Sequence, residues 1–129
     1  MIKFATVILG LLIISSTVIS LAADDPSIQG KDRTESQNAM NEYVNKNSMG
    51  GKFIVYDGMM GKLLKLKYED VHEGIVKKGD FYVSCADFVD HAGNKYDIDF
   101  LVAEKEGKFT VFQALVHKVN GEKRDYLVE

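Results

Sequence analysis

From Gly51 to the C-terminus, apolar residues recur at every second position, and short glycine-bearing dipeptides interrupt the alternation. Side chains of a strand point alternately to its two faces, so this pattern predicts half-buried antiparallel strands joined by tight turns. The expected strands cover 53–57, 63–77, 81–90, 95–105, 108–119 and 122–128. The loop Gly58-Met59-Met60-Gly61 separates the first two, and Lys78-Gly79, Gly93-Asn94, Glu106-Gly107 and Asn120-Gly121 separate the rest. Those four dipeptides suit two-residue hairpins, whose central residues take positive φ. The apolar phase slips between Tyr68 and Val71, which predicts a bulge near Glu69-Asp70 or Gly74.

Upstream the period changes. Ala39, Met40, Tyr43 and Val44 form one stripe of a helix, which Thr34 or Ser36 is suited to cap and Gly50-Gly51 to end. Its polar side carries Asn38, Asn41, Asn45 and Asn47, so packing rather than intrinsic propensity must hold it. One helix followed by five or six antiparallel strands predicts an α+β domain over residues 34–129, because neither element can bury its apolar side alone. Residues 24–33 hold the single proline, Pro26, and few apolar side chains, and read as a flexible linker.

Residues 1–23 have the layout of a signal peptide: Lys3, an apolar run from Phe4 to Ile14, then small residues Ser20 and Ala22 before a cut after Ala22 or Ala23. An uncleaved anchor is the alternative, and Ser15, Ser16, Thr17 and Ser20 argue against it. The expected compartment is a periplasm or the cell exterior, with no membrane contact once the leader is removed. Net charge is −3, a mildly acidic balance far from the strongly basic one of a nucleic-acid footprint, which excludes that class of partner. One cysteine, Cys85, excludes an internal disulfide and a four-cysteine zinc site.

A helix gripped by a long curved antiparallel sheet resembles the cystatin-like group, which includes the cone-shaped NTF2-like domains. The resemblance covers residues 34–129 by element order. The cystatin inhibitor loop Gln-x-Val-x-Gly is absent, since Gln113-Ala114-Leu115-Val116-His117 departs at its third and fifth positions. What the resemblance implies is a hollow between helix and sheet that can hold a ligand.

Taking the two-residue turns literally aligns Val89, Ile98 and Leu115, then Asp87, Phe100 and Gln113, then Cys85, Val102 and Val111, and sets Tyr96 opposite His117. His72 falls beside Cys85, and Asp70 beside Asp87. This mostly apolar face is expected under the helix, which makes Asp87, Tyr96, Gln113, His117, Cys85 and His72 the candidate pocket. An Asp/His/Tyr set there suits proton transfer or hydrogen-bonded recognition, and Cys85 with His72 matches a thiolate and its base. Asp70, His72, Cys85 and Asp87 are ligand-type residues without a tight metal-binding spacing such as His-x-x-x-His, so no metal or other cofactor is expected.

The opposite face would carry Phe88, Leu101, Phe112, Ala114 and Val116 as an exposed apolar patch, the mark of a homodimer or a protein partner. Asp97 and Asp99, with Asp90 nearby, read there as a solvated acidic surface; attraction of a cation such as calcium is the alternative, and the Asp-x-Asp-x-Asp-Gly loop is missing. No catalytic residue is assigned. The sequence reading is thus an exported, non-enzymatic binding or interaction module, with a small pocket protein or NTF2-like enzyme built on Asp87, His117 and Tyr96 as the alternative.

Overall fold

The computed structural model describes residues 28–126. The leader at 1–23, residues 24–27 of the expected linker and the end of the last expected strand, 127–128, lie outside them. Helix α1 (Gly30–Lys46) begins ahead of the two expected caps, so residues 30–33 of the expected linker form its first turn. Asp32 sits in that turn, where the helix dipole favours a negative charge. Ala39, Met40 and Val44 point inward on the expected stripe, and Ser36, an expected cap, is instead buried beside them within the helix. The helix ends as Asn47 N–H and Asn47 Nδ2 both donate to the Tyr43 carbonyl; Gly50 and Gly51, expected to end it, instead form the two-residue turn between the first two strands, at φ 59° and 75°.

Seven strands follow: β1 (Ser48–Met49), β2 (Lys52–Asp57), β3 (Lys62–Lys78), β4 (Phe81–Val89), β5 (Lys95–Lys105), β6 (Lys108–Val119) and β7 (Glu122–Lys123). They make one antiparallel sheet in sequence order. The α+β expectation holds, with seven strands instead of five or six: β1 is a two-residue addition, and the last strand spans only two residues. α1 packs across β3 to β6 on one face of the sheet, and Met40, Phe53, Phe88 and Phe100 fill the space between them. The Phe53 ring lies 5.2 Å from Phe88 and 5.8 Å from Phe100. Beyond β7, Arg124 grips the buried Asp57 at the end of β2 with two hydrogen bonds, 2.5 and 2.7 Å, tying the C-terminal segment to the first hairpin. Among the described residues no helix is long and apolar enough to cross a membrane.

The register decides which side chains share a face. The expected two-residue turn at Gly93-Asn94 is a five-residue loop, because Val89 pairs with Lys95. Asp90 builds that loop by accepting the backbone N–H groups of Ala92 and Asn94 and the Asn94 side-chain amide. Relative to the expected pairing of Val89 with Ile98, β4 is displaced by three residues, and an odd displacement reverses the faces. Ser84, Ala86 and Phe88 therefore join Tyr96, Ile98 and Phe100 under the helix, and Cys85 and Asp87 turn to the open side.

The Glu106-Gly107 turn pairs Lys105 with Lys108 as expected. Bulges then shift β6 twice against β5, so Phe100 faces Ala114 and Tyr96 faces Val119. The first hairpin of the β3–β4 pair turns at Gly79-Asp80, with Lys78 opposite Phe81. Two irregularities, at Tyr68/Asp70 and Val71/Ile75, match the expected phase slip and bring Asp70 opposite Asp87.

Candidate functional site: a His, Cys and Asp cluster on the open sheet face

Four adjacent strands and the C-terminal segment place polar side chains together on the face turned away from α1. Cys85 lies directly across from Asp99, and Asp87 across from Asp97, so the i, i+2 alternation of β4 and β5 makes a square of one thiol and three carboxylates. The irregularity of β3 brings in His72, whose Nε2 is 3.0 Å from Asp87 Oδ1. Gln37 on α1 supports this stretch by donating from Nε2 to the Glu73 carbonyl at 3.3 Å. The second bulge of β6 turns His117 toward Asp99, with Nδ1 3.2 Å from Oδ2. Arg124 N–H donates to the His117 carbonyl, and the Tyr126 ring lies 6.0 Å from the imidazole.

Asp99 is almost fully enclosed; it accepts from the Cys85 thiol at 2.9 Å and pairs with His117 across 3.2 Å. Asp97 differs. Its side chain is 14% exposed, Lys118 Nζ is a distant 4.0 Å from Oδ2, and Oδ1 is buried with no hydrogen-bond partner. The Tyr126 hydroxyl is likewise buried and unpartnered. Burial pushes the Asp97 carboxyl above the ordinary carboxylate range, Asp99 and Asp87 push it further, and His72 and His117 pull it back. Burial, followed by the Asp99 and Asp97 charges, likewise raises the Tyr126 phenol, which stays a neutral hydroxyl.

Two overlapping triads result. His72, Cys85 and Asp97 present ligand atoms within 4.8 Å of one another, as do Asp97, Asp99 and His117. Asp97 belongs to both. Imidazole, thiolate and carboxylate are together the donor set of a borderline divalent ion such as zinc. Nucleophilic catalysis fits less well, because the Cys85 thiol donates to the Asp99 carboxylate rather than to an imidazole.

Four of the six candidate pocket residues, His72, Cys85, Asp87 and His117, meet at this cluster, on the face opposite to the one expected. The other two do not: Tyr96 lies on the helix side and donates to Asp90 at 3.2 Å, and Gln113 is exposed, its amide reaching only the Ala114 carbonyl. The expected hollow under the helix is occupied by the aromatic core. The expected outer apolar patch also dissolves, since Phe88, Ala114 and Val116 are buried on the helix side and Leu101 is half-buried. Only Phe112 of the five stands out, 54% exposed and edge-on to Phe81. Asp97 and Asp99, expected on a solvated acidic surface, are instead largely buried, because the β4–β5 register sets them against Cys85 and Asp87 and β6 covers them with His117; Tyr126 had not been singled out.

Comparisons with known protein families, with curated proteins and with solved structures find no match to the chain.

Proposed function

We propose that this protein is a small exported binding module whose ligand is a borderline divalent transition-metal ion of the zinc type, held on the open sheet face. The observation that carries this reading is Asp97, shared by both triads, with one carboxylate oxygen buried and unpartnered. A buried carboxylate facing Asp87 across the strand pair and lying two residues from Asp99 is unfavourable by itself. A cation between the triads removes that repulsion and supplies the missing partner.

Asp97 is the central ligand, with Cys85 and His72 on one side and His117 on the other. Asp99 orients His117 and accepts the thiol hydrogen before metal enters; binding then releases that proton. Asp87 holds His72 in the same way. A set of three or four protein ligands with a shallow cleft beside it, lined by Glu69, Asp87, Lys95 and Lys118, leaves room for a water or a small ligand at the ion. Export through the leader and membership of the cystatin-like group are part of the same proposal, supported by the residue pattern of 1–23 and by the helix-on-sheet element order.

Isothermal titration of chelator-washed protein with zinc chloride tests the reading. One-to-one binding with proton release, abolished by Asp97→Asn and strongly weakened by Cys85→Ser, is the expected result. Absence of binding by the folded wild type contradicts it.

A further inference from the structure

The β2–β3 hairpin projects a finger whose chemistry the metal cluster does not explain. At its tip Met59 and Met60 are 66% and 45% exposed, and just behind them the cross-strand pair Tyr56 and Leu63 is 63% and 60% exposed. Lone exposed apolar residues are ordinary, but four together on one hairpin end are not. The tip is also held in shape: Asp57 Oδ1 accepts the backbone N–H groups of Met59 and Met60, at 3.1 and 3.3 Å, while the same carboxylate is locked by Arg124. The methionines are therefore presented by a braced turn.

Behind the apolar tip comes a basic collar of Lys52, Lys62, Lys65 and Lys67, all exposed. None forms an ion pair with another described residue. The one acid of the finger, Asp57, is buried and neutralised by Arg124. The rest of the chain has more acidic than basic residues, so positive charge is concentrated where the apolar tip is.

Apolar side chains leading and lysines following is the arrangement of a segment that lies in a membrane interface, with the apolar part at the acyl boundary and the cations among anionic headgroups. We propose that the β2–β3 finger docks the domain onto an anionic lipid surface. Met59, Met60, Tyr56 and Leu63 enter the headgroup region, and the four lysines contact the anionic lipids. Docking of this kind spans nothing and is independent of the metal cluster, which sits on a different part of the sheet.

Co-sedimentation of the full chain with phosphatidylcholine vesicles, with and without phosphatidylglycerol, tests the proposal, and the finger's share is read as the difference between wild type and variants. Each lysine near an anionic surface is worth about fivefold in partitioning, so Lys65→Glu with Lys67→Glu lowers binding to phosphatidylglycerol vesicles by at least about 25-fold. Met59→Ser with Met60→Ser weakens it at every salt concentration, whereas the lysine effect fades as salt rises. All four positions are exposed, so thermal melts of both variants should match wild type. Equal sedimentation of wild type and both variants overturns the proposal. So does selective retention of the finger by an acidic polypeptide with no preference for anionic vesicles, which would make the collar a protein-docking surface.

Discussion

Replacing Asp97 by Asn should stabilise the metal-free protein and destroy its response to zinc. The side chain is 14% exposed, its Oδ1 has no partner, and Asp87 lies opposite it. An incompletely satisfied buried polar group costs about 1–3 kcal/mol and more when it is charged, so the neutral amide carries only the smaller of the two costs. Against this stands only the 4.0 Å contact with the half-exposed Lys118, worth less than about 1 kcal/mol. The amide keeps the shape and removes the charge, for a net gain of about 1 kcal/mol, or roughly 4–8 °C in Tm for a domain of this size. The pH dependence has a definite sign. Folded Asp97 holds its proton to higher pH than the unfolded chain does, so metal-free stability falls as pH rises from about 4 through its raised value. Asp97→Asn removes that fall. Zinc at about 100 times its Kd adds about 2.7 kcal/mol to the wild type and nothing to the variant, so the order of stability reverses on adding zinc. Calorimetric melts in chelator and in zinc read both halves. A variant that melts below wild type in chelator, or that keeps the zinc shift, refutes the reasoning.

Arg124→Met leaves Asp57 buried and uncompensated, and should cost about 3–5 kcal/mol by denaturant titration. The Arg124 hydrogen bonds hold the Asp57 carboxyl below its ordinary value of roughly 3.9, so this contribution is complete above that pH and lost as pH falls through the lowered value; the variant's acid-unfolding limb should be correspondingly shallower. Phe88→Ala empties a fully buried ring site in contact with Phe53 and Phe100, and should cost about 3–5 kcal/mol, whereas Phe112→Ala on the open side should cost less than about 1 kcal/mol; similar losses at both would contradict the observed register. Cys85→Ser keeps the fold and removes the soft donor, and should weaken zinc by at least about tenfold with little change in metal-free Tm.

The helix stripe of Ala39, Met40 and Val44 and the positions of five of the six turns of the meander were legible because they depend on local periodicity and on glycine at positive φ; the sixth, Gly50-Gly51, read instead as the end of the helix. The face assignment was not legible, because it hangs on one loop. Gly93-Asn94 looks like a two-residue turn, yet Asp90 can satisfy three donors at once and so closes a five-residue loop instead, which reverses Ser84 through Val89 against β5. That single event moved Phe88 from an expected surface into the core and Cys85 and Asp87 from an expected core to the open face. His117 followed for a different reason, the β6 bulges, which leave no composition signal beyond the local phase. The pairing of Asp70 with Asp87 came out as expected through two offsetting departures, a hairpin turn one residue later and a bulge behind it. Tyr126 had no signal, since the chain leaves the sheet after Lys123 and only tertiary packing returns its ring to His117.

The central claim is that one metal ion is shared by Cys85, Asp97 and the two histidines, and the absorption spectrum of the cobalt(II)-loaded protein tests it most directly. Cobalt occupies zinc-type sites and reports a bound thiolate through a sulfur-to-metal charge-transfer band. The account predicts that this band saturates at one equivalent, is displaced by zinc, and vanishes in Cys85→Ser and in Asp97→Asn. A spectrum of hexaaquo cobalt throughout the titration of folded wild-type protein would contradict it.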